Sequence, residues 1–362
     1  MHLKVFLSCA ILLTAILCPG QTSQGAPQIH IGPVPHPRAL SEKPDTVEMI
    51  VIGDVMMHSK QLLHDHRTFL SNISGALSSA DIAVANLEFP LGGKPYSGYP
   101  VFSTPDWYAE YLSDCGINVF LLANNHILDK GDPGVERSLS VYESMESRGR
   151  ARYCGAGADS VSFARHNPLI LEAGGMKIAL VNFTYGTNIG SQQKWPSVSR
   201  MNKSSISEQF QRAREAGADF IVALPHWGEE YCINHSPAQE DLARWMISEG
   251  ADAIVGSHPH VVQDFDIING VPVFYSVGNA VSNMSIRHTR LEMAVTLRFT
   301  RDRRGEARLL PPEGRWMWCT LPGTLTDSYA TIFTDEWIGR RDEWKDPSDY
   351  DNMLSHLNER HN

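Results

Sequence analysis

The stretch "ADAIVGSHPH" (residues 251–260) shows the pattern that decides the fold, because an apolar run ends in a glycine and two closely spaced histidines. A short and nearly continuous apolar run is typical of a strand that is buried on both faces. His258 and His260 follow this run directly, one residue apart. Two such histidines are either ordinary surface or capping residues or ligands of a metal, and the rest of the chain must decide between these interpretations.

The same pattern of an apolar, β-branched run that ends in small or polar residues occurs at six further places. The runs are "VEMIVIGD" (47–54), "ADIAVANLE" (80–88), "INVFLLANNH" (117–126), "KIALVNFTYG" (177–186), "ADFIVALPHWG" (218–228) and "VPVFYSVGN" (271–279). Helical patterns lie between several of them. Strands that alternate with helices predict an α/β fold with a buried central sheet or pair of sheets.

Three segments between the strands have the spacing of amphipathic helices. Residues 236–250 begin with Ser236 and Pro237 and carry Gln239 three residues after the serine, which is the pattern of a capping box. Residues 204–217 end at a glycine, as helices commonly do. Residues 59–79 are predicted as a third helix, and its expected inward-facing residues are Leu62, Leu63, Phe69, Ile73 and Leu77.

The composition indicates a globular protein and argues against a nucleic-acid partner. The chain has 362 residues, of which 42% are hydrophobic and 20% are charged, and its formal net charge is −10. A protein that binds a nucleic acid needs a surplus of basic residues to neutralise phosphates, and this chain has the opposite balance.

The N-terminus predicts export. Lys4 precedes an apolar stretch that is too short to span a bilayer comfortably and has the length of a signal-peptide core. We expect a signal peptide over residues 1–22, a linker or arm over 23–46, one domain over 47–300 and a C-terminal extension over 301–362. The expected location is the periplasm or the outside of the cell, and attachment to the membrane through the N-terminus is the alternative. The four cysteines after the leader have no metal-binding spacing, so free thiols and disulfides are both open.

Five of the predicted strands end in residues that bind metals. In α/β sheets, binding groups collect beyond the carboxyl ends of the strands, so these side chains are expected to share one site. Each of them alone has an ordinary explanation as a turn acid, a capping amide or an interior histidine. A mixed set of oxygen and nitrogen ligands favours Zn, Mn or Fe. The candidate residues are Asp54, Glu88, Asn125, His126, His226, His258 and His260.

The motifs, taken in order, resemble those of the CapA family of capsule and poly-γ-glutamate biosynthesis proteins, from about residue 47 to 282. This resemblance implies the fold of the calcineurin-like metallophosphoesterases, which is a four-layer α/β/β/α sandwich with a site for two divalent metals. The motifs are "GDVMMH" (53–58), "ADIAVANLEFPLGG" (80–93), "LANNHILDKG" (122–131), "GAGAD" (155–159), "PHWGEEY" (225–231), "AQEDLARWMISEGADAIVGSHPHVVQ" (238–263) and "FYSVGN" (274–279).

The resemblance also implies a role for each candidate residue. Asp54, Glu88 and His260 would hold one metal. Asn125, His226 and His258 would hold the other together with Glu88, which would bridge the two ions. His126 would protonate the leaving group, and Asp129 would orient its imidazole.

Two positions depart from the superfamily pattern. The first motif normally has a histidine ligand two residues after the aspartate, and here that position is Met56, whereas the next imidazole, His58, comes two residues later. The bridging position is Glu88 instead of the usual aspartate. The metal position of His260 is therefore expected to lack one imidazole ligand.

Three hypotheses about function follow from this pattern. The first is a metal-dependent hydrolase or transferase that acts on a phosphoester or amide bond of an anionic polymer. The second is a polymer-binding component, without hydrolysis, of a capsule-synthesis complex at the membrane. A variant of the second is an enzyme without metal that uses histidines for acid–base chemistry. The third is an interaction protein of the cell envelope with a vestigial site. Two long loops, residues 91–107 and 184–203, are candidate substrate walls, and the second carries Lys194 and Arg200 as possible anion contacts.

Overall fold

A computed structural model describes residues 46–302 and 304–361 of the chain, and the predicted signal peptide lies outside these ranges. Two β-sheets pack face to face, and helices cover the outer face of each, which confirms the predicted four-layer α/β/β/α sandwich. The strands of the described part are β1 (Thr46–Val55), β2 (Ile82–Leu87), β3 (Val119–Leu121), β4 (Arg152–Cys154), β5 (Ala156–Gly157), β6 (Leu169–Ala173), β7 (Met176–Thr184), β8 (Ser197–Val198), β9 (Phe220–His226), β10 (Ala253–Val255), β11 (Phe265–Ile268), β12 (Val271–Phe274), β13 (Asn279–Val281), β14 (Leu291–Arg301), β15 (Ala307–Leu309), β16 (Glu313–Thr320) and β17 (Ala330–Phe333). The α-helices are α1 (Ser74–Ser79), α2 (Asp106–Asp114), α3 (Gly131–Ser147), α4 (Ser160–His166), α5 (Lys203–Glu215), α6 (Pro237–Ser248) and α7 (Pro347–His361).

The two large sheets are each built around a parallel centre. The first has the strand order β17-β16-β14-β1-β2-β3-β4, in which β1 to β4 are parallel, and β13 and β15 pair with β1 and β14. The second has the order β11-β12-β10-β9-β7-β6, in which only the two edge strands are antiparallel. The carboxyl ends of the parallel strands of both sheets therefore meet along one edge of the sandwich.

The period of two along β1 explains why the core has separate layers. Met49 and Val51 face the second sheet, whereas Ile50 and Ile52 face the helices that cover the first sheet. Both sets are buried, so the strand reads as a continuous apolar run, which is the sequence pattern of a central strand in a covered sheet. A third apolar layer lies between the second sheet and helices α5 and α6.

The structure confirms one of the predicted helices and contradicts another. The prediction for residues 236–250 is confirmed by α6, where the Ser236 side chain accepts a hydrogen bond from the Gln239 amide and the Gln239 side chain accepts one from the Ser236 amide. The prediction of one helix over residues 59–79 is wrong. Two short 3₁₀ turns precede α1, because Asp65 caps a new turn by accepting from the Arg67 amide. Leu63, expected inside, is 84% exposed as a result.

The C-terminal residues complete the first sheet. Strand β14 crosses the predicted boundary at residue 300, and β15, β16 and β17 continue the sheet beyond it. Helix α7 is tied to this sheet by the ion pair between Arg290 and Asp349. In the described ranges no helix is long and apolar enough to cross a membrane, and Cys115, Cys154, Cys232 and Cys319 are free thiols.

Candidate metal centre

The predicted ligands lie together at the edge where the carboxyl ends of the strands of both sheets meet. Strands β1 and β2 and the segment after β3 supply the first sheet's side chains, and β9 and the segment after β10 supply the second sheet's. None of these side chains is more than 3% exposed. The residues are Asp54, Glu88, Asn125, His126, His226, His258 and His260.

Glu88 lies at the centre of this group. Its two carboxylate oxygens are 3.7 Å from His226 Nε2 and 3.9 Å from His260 Nδ1. His226 Nε2 is also 2.9 Å from Asn125 Oδ1. Ligand atoms of Glu88, His258 and His260 all lie within 4.8 Å of one another. Imidazoles of both sheets thus surround one carboxylate, which is the arrangement that the resemblance implies for a bridging ligand.

Two glycines allow the strands to come this close. A Cβ on Gly53 would lie 1.8 Å from the Gly278 carbonyl oxygen, and one on Gly256 would lie 2.2 Å from the Tyr275 carbonyl oxygen. Any larger residue at either position would push the backbones apart. Gly53 and Gly256 precede the first and last ligand motifs, so their close approach sets the positions of Asp54 and His258.

The backbone at His258 and His260 is strained. Their φ angles are 99° and 59°, in the left-handed region that residues with a side chain rarely adopt. Each such residue costs on the order of 1–3 kcal/mol and persists only where the surroundings hold it. The His258 amide donates to Asp54 Oδ2 at 3.0 Å, so the turn is fixed to the other sheet. This strain turns both imidazoles toward Glu88.

The protonation states of the buried groups follow from this packing. Burial raises the pKa of Glu88 well above its usual value, and the neighbouring carboxylates of Asp54, Glu230 and Asp129 raise it further. Burial lowers the pKa of His226 to about 3. It also lowers the pKa of His258, with a further contribution from the neighbouring imidazoles. Burial raises the pKa of Asp54 as well, but its hydrogen bond with His260 and the charge of His226 outweigh this effect and leave the pKa lowered.

The donor set fits a divalent cation. Both carboxylate oxygens of Glu88 and Nδ1 of His258 are buried and have no hydrogen-bond partner among the described residues. Buried polar atoms without a partner are rare in native proteins, and they require an explanation such as an ion. Unprotonated imidazoles with carboxylate and amide oxygens are ligands that Zn, Mn and Fe accept.

Position 56 does not contribute to this set. The Met56 side chain is buried in the apolar layer between the first sheet and its helices. The His58 ring packs edge-on against Phe102, with 5.3 Å between the ring centroids. Burial and the charges of His260 and His126 lower the pKa of His58 to about 4. Its Nε2 atom is buried without a partner in the described part of the chain. His58 therefore belongs to the surroundings of the centre, although the sequence did not assign it to either metal.

His126 and Asp129 form a pair beside the ligands. His126 Nδ1 is 2.7 Å from Asp129 Oδ2, and both side chains are almost fully buried. The same carboxylate oxygen accepts a hydrogen bond of 2.8 Å from the Phe102 amide. Because Nδ1 is engaged in this way, Nε2 is the nitrogen of His126 that is left for a substrate.

Several asparagines that the sequence did not assign to the site hold the ligands in place. Asn86 Nδ2 donates to Asp54 Oδ1 at 2.7 Å, and Asn124 Nδ2 lies 3.2 Å from Asn86 Oδ1. Asn279 Oδ1 is 3.0 Å from His260 Nδ1. A signal for two of them was available, because Asn86 interrupts an apolar run and Asn279 ends one. They orient the ligands, as partners outside the coordination shell commonly do.

Residues 91–107 and 184–203, the two loops predicted as substrate walls, both contact residues of the site. In the first loop the Phe102 ring packs edge-on against His126, with 4.8 Å between the ring centroids. In the second, Asn188 N donates to the Asn125 carbonyl at 2.8 Å. Lys194 is exposed, and Arg200 is partly buried without an ion-pair partner in the described ranges. Tyr185 of the second loop lies 4.5 Å from His258 between ring centroids. Both loops thus border the site, whereas neither cation forms an ion pair with a candidate ligand in the described part of the chain.

The sequence profile of the family described as bacterial capsule synthesis protein PGA_cap matches residues 48–284. This match covers more than half of the chain and includes every candidate ligand. The chain belongs to this family. The CapA resemblance that the motifs predicted is therefore confirmed.

Two relatives within this family show how far the similarity extends. The capsule biosynthesis protein CapA of Bacillus anthracis is 29% identical over 275 residues, which are 72% of this chain and 64% of that protein. The PGA biosynthesis protein CapA of Bacillus subtilis strain 168 is 26% identical over 287 residues, which are 76% of this chain and 73% of that protein. This chain spans less than two thirds of the length of the first relative.

Solved structures with a similar fold include two enzymes. One is the calcineurin-like phosphoesterase YfkN of Bacillus subtilis, with a TM-score of 0.46 and 16% identity over 75% of this chain and 90% of that chain. The other is a 5′-nucleotidase precursor of Thermus thermophilus, with a TM-score of 0.44 and 14% identity over 86% of this chain and 58% of that chain.

Proposed function

We propose that this family member is an exported, metal-dependent hydrolase or transferase of capsule or poly-γ-glutamate biosynthesis. Its substrate would be a phosphoester or amide bond of a cell-surface polymer or its precursor. The observation that carries the proposal is Glu88, whose two buried and unpartnered oxygens lie between imidazoles of opposite sheets. Such a carboxylate is costly to bury unless a cation binds it.

Each side chain has a definite part in this proposal. Asp54, Glu88 and His260 would hold one divalent ion, and Asn125, His226 and His258 would hold a second with Glu88. When bound, such ions polarise the substrate and lower the pKa of water. His126 would give a proton from Nε2 to the leaving group, while Asp129 keeps the proton on Nδ1 and the ring in position. The Phe102 wall excludes water from one side of this imidazole.

Replacing Glu88 with glutamine tests the metal centre. We expect purified wild-type protein to bind divalent metal in stoichiometric amounts and Glu88→Gln to lose most of it, because the amide supplies one neutral oxygen instead of two charged ones. Elemental analysis measures the metal, and turnover of a generic phosphodiester measures the activity. Glu292→Gln is the matched control, since Glu292 is as buried and as unpartnered among the described residues as Glu88 but is not one of the proposed ligands. A wild-type protein without metal, or a Glu88→Gln variant that keeps both metal and turnover, would refute the proposal.

Replacing His126 with alanine tests the proton donor. A general acid contributes about 10²–10⁴-fold to the rate. We expect His126→Ala to lose this factor on a phosphoester with a poor leaving group, such as an alkyl alcohol. The loss should be much smaller on a p-nitrophenyl ester, whose leaving group needs no proton. Equal losses on the two substrates would contradict the assigned role.

The second candidate is a polymer-binding component, without hydrolysis, of a capsule-synthesis complex at the membrane. It is favoured by the position of Met56, whose side chain points into the core where the superfamily pattern has a ligand. Robust metal-dependent turnover would exclude this candidate. Activity that survives chelation would instead favour acid–base chemistry by histidines such as His126 and His226.

A further inference from the structure

A cavity of about 250 Å³ lies between helix α7 and the segment that leads into β14. Because β14 runs antiparallel to β1, this segment lies at the edge of the sandwich that carries Asp54. The charged or titratable side chains of the cavity lining are all basic, although the chain has a net charge of −10. A lining of one sign indicates a ligand of the opposite sign. We call these four residues, Arg287, His288, Arg290 and His356, the basic pocket.

Hydrogen bonds place the basic pocket next to the motif of His260. The Thr289 carbonyl, in the segment before β14, accepts from Asn279 Nδ2 at 2.9 Å, and Asn279 Oδ1 is 3.0 Å from His260 Nδ1. On the other side of the pocket, the Arg360 guanidinium of α7 donates to the Val262 carbonyl. Both walls of the pocket are therefore bonded to residues that hold or follow a candidate ligand.

The backbone of the pocket is strained at His288. Its φ is 69°, in the left-handed region, at the third position of a turn in which the Thr289 amide donates to the Ile286 carbonyl at 3.1 Å. Turns with a positive φ at this position ordinarily have glycine or asparagine there. A larger side chain is kept in this conformation against strain, and strain of this kind clusters at ligand-binding sites.

The His288 imidazole also has a buried donor without an acceptor. Its Nε2 accepts from Arg287 Nε at 3.2 Å. Burial and the charges of His356 and Arg287 lower the pKa of His288, so the ring is neutral at about pH 7 and carries its proton on Nδ1. Nδ1 is buried and has no hydrogen-bond partner among the described residues. A buried donor of this kind requires a partner, and an oxygen of a bound anion would supply one.

The other members of the basic pocket divide into movable and fixed side chains. Arg287 pairs with Glu359, but its side chain is 67% exposed, and such surface pairs exchange partners at little cost. His356 Nδ1 is 2.7 Å from a carbonyl of its own helix, so its Nε2 is left for a ligand. Arg290 is fixed by its ion pair with Asp349. Arg287 and both imidazoles can therefore contact an anion in the pocket.

We propose that the basic pocket binds a carboxylate of an acidic polymer chain whose reacting bond lies at the metal centre. This inference rests on the proposed function, and it gives the polymer a second point of contact on the same protein. His288 Nδ1 and the Arg287 guanidinium would donate to the carboxylate oxygens, since imidazole and guanidinium N–H groups are suitable donors to such oxygens.

A polymer fits this arrangement better than a small free anion. A γ-glutamyl chain carries a carboxylate on every unit, so one chain can occupy the pocket and the metal centre at once. Binding at one place then raises the effective concentration of the chain at the other. The cavity volume of about 250 Å³ is below the roughly 300–1,000 Å³ of pockets for drug-sized ligands, so the pocket would take one unit of the chain.

Binding of γ-linked peptides to the full chain tests this inference. The probes are penta-γ-glutamate, the same peptide with its α-carboxylates converted to amides, and inorganic phosphate, all measured by isothermal titration calorimetry. We expect the acid to bind more tightly than the amide by about tenfold or more, and to lose affinity as salt is added. Inorganic phosphate at the concentration of the peptide should not displace the peptide.

Replacing His288 with glycine removes the imidazole and also relieves the backbone strain. We expect His288→Gly to bind penta-γ-glutamate about three- to tenfold more weakly, in the range of one hydrogen bond. Glycine adopts a positive φ without penalty, so the variant should unfold at no lower temperature than the wild type. Weaker binding without lower stability would separate the role of the side chain from a folding defect.

Two charge changes should act in opposite directions. Arg287→Gln should weaken binding of the acid by about fivefold, because a charged donor is lost. Glu359→Gln should strengthen it by about two- to fivefold, because Arg287 loses its competing partner. Arg148→Gln is the matched control, since Arg148 is also an exposed arginine paired with a glutamate, beyond the end of α3 that lies away from the metal centre. It should bind all probes like the wild type.

Any of three results would overturn the inference. In the first, the amide peptide binds as tightly as the acid. In the second, His288→Gly and Arg287→Gln bind the acid like Arg148→Gln. In the third, inorganic phosphate displaces the peptide, which would indicate a site for a small free anion. None of these results changes the metal content or the phosphodiester turnover, so a failure of the basic pocket is distinguishable from a failure of the proposed function.

Discussion

Asp129 connects His126, the proposed proton donor, to the wall of the site. One carboxylate oxygen contacts His126 Nδ1 at 2.7 Å and the Phe102 amide at 2.8 Å. The orientation of the imidazole and the position of the loop over residues 91–107 therefore depend on the same atom. In the proposed mechanism Asp129 would be a positioning residue, since it would act on a substrate only through His126.

Replacing Asp129 with asparagine should lower kcat by about 10- to 100-fold, as the loss of such an orienting partner commonly does. The amide cannot hold the proton on Nδ1 as the carboxylate does, so the ring loses its fixed tautomer. The pH profile of kcat should shift as well, which a purely structural defect would not produce. Asp132→Asn is the matched control, because Asp132 is also buried but accepts from Ser191 and from the Gln192 amide. If both variants lost the same activity, the assigned role would be wrong.

The sequence predicted which candidate ligands lie together better than it predicted the residues that hold them. A residue that ends a buried apolar run must lie at the edge of a sheet, so His226 and His258 were accessible from the pattern alone. Asn86 lies inside an apolar run. Its side-chain amide contacts Asp54 on the neighbouring strand of the same sheet and His226 on a strand of the second sheet. Only the packing of the two sheets reveals such a contact. Met56, which the sequence places where the superfamily pattern has a histidine, is buried in the apolar layer.

For the helices as well, the spacing of apolar residues predicted one segment correctly and another wrongly. Residues 236–250 carry both an apolar period and a capping box, and α6 begins where the two signals agree. Residues 59–79 carry an apolar period without a strong start signal, and the capping aspartate Asp65 interrupts them. A local side-chain hydrogen bond competes with the helix there. Spacing alone could not predict that interruption.

Replacing Ser236 with alanine should destabilise the protein by about 1 kcal/mol, the typical cost of losing an N-cap side chain. The Gln239 amide would lose its acceptor, while Pro237 would still favour the first turn. Chemical denaturation followed by circular dichroism measures the change. Ser248→Ala at the other end of α6 is the control, since its hydroxyl bonds only the Trp245 carbonyl of its own helix. Equal stabilities of Ser236→Ala and the wild type would show that the cap contributes nothing.

At the scale of the whole molecule, Glu292 makes stability depend on pH. It is fully buried in β14, and neither of its oxygens has a hydrogen-bond partner among the described residues. Burial raises its pKa well above the usual value, and this effect outweighs the opposing charge of Arg290. The folded state then binds a proton that the unfolded state has already released. Stability from this group is therefore lost as the pH rises above the unfolded pKa.

Glu292→Gln should remove this dependence. We expect the variant to resemble the wild type at about pH 4 and to be more stable near pH 8, by roughly 1.4 kcal/mol for each unit by which folding raises the pKa. Thermal unfolding at a series of pH values measures the difference. Glu136→Gln is the control on the exposed face of α3 and should follow the wild-type curve. A Glu292→Gln variant that tracks the wild type at every pH would show that the carboxyl is not kept protonated by folding.

The hydrogen bond from the His258 amide to Asp54 joins residues that are 204 positions apart in the chain. Contacts between such distant segments form late, because the entropy of closing a long loop must be overcome before they stabilise anything. The two halves of the ligand set thus meet only when both sheets are complete and docked. Any truncated or half-folded chain would hold at most part of a binding site. Tight metal uptake would therefore mark the end of folding, and it would distinguish finished molecules from incomplete ones.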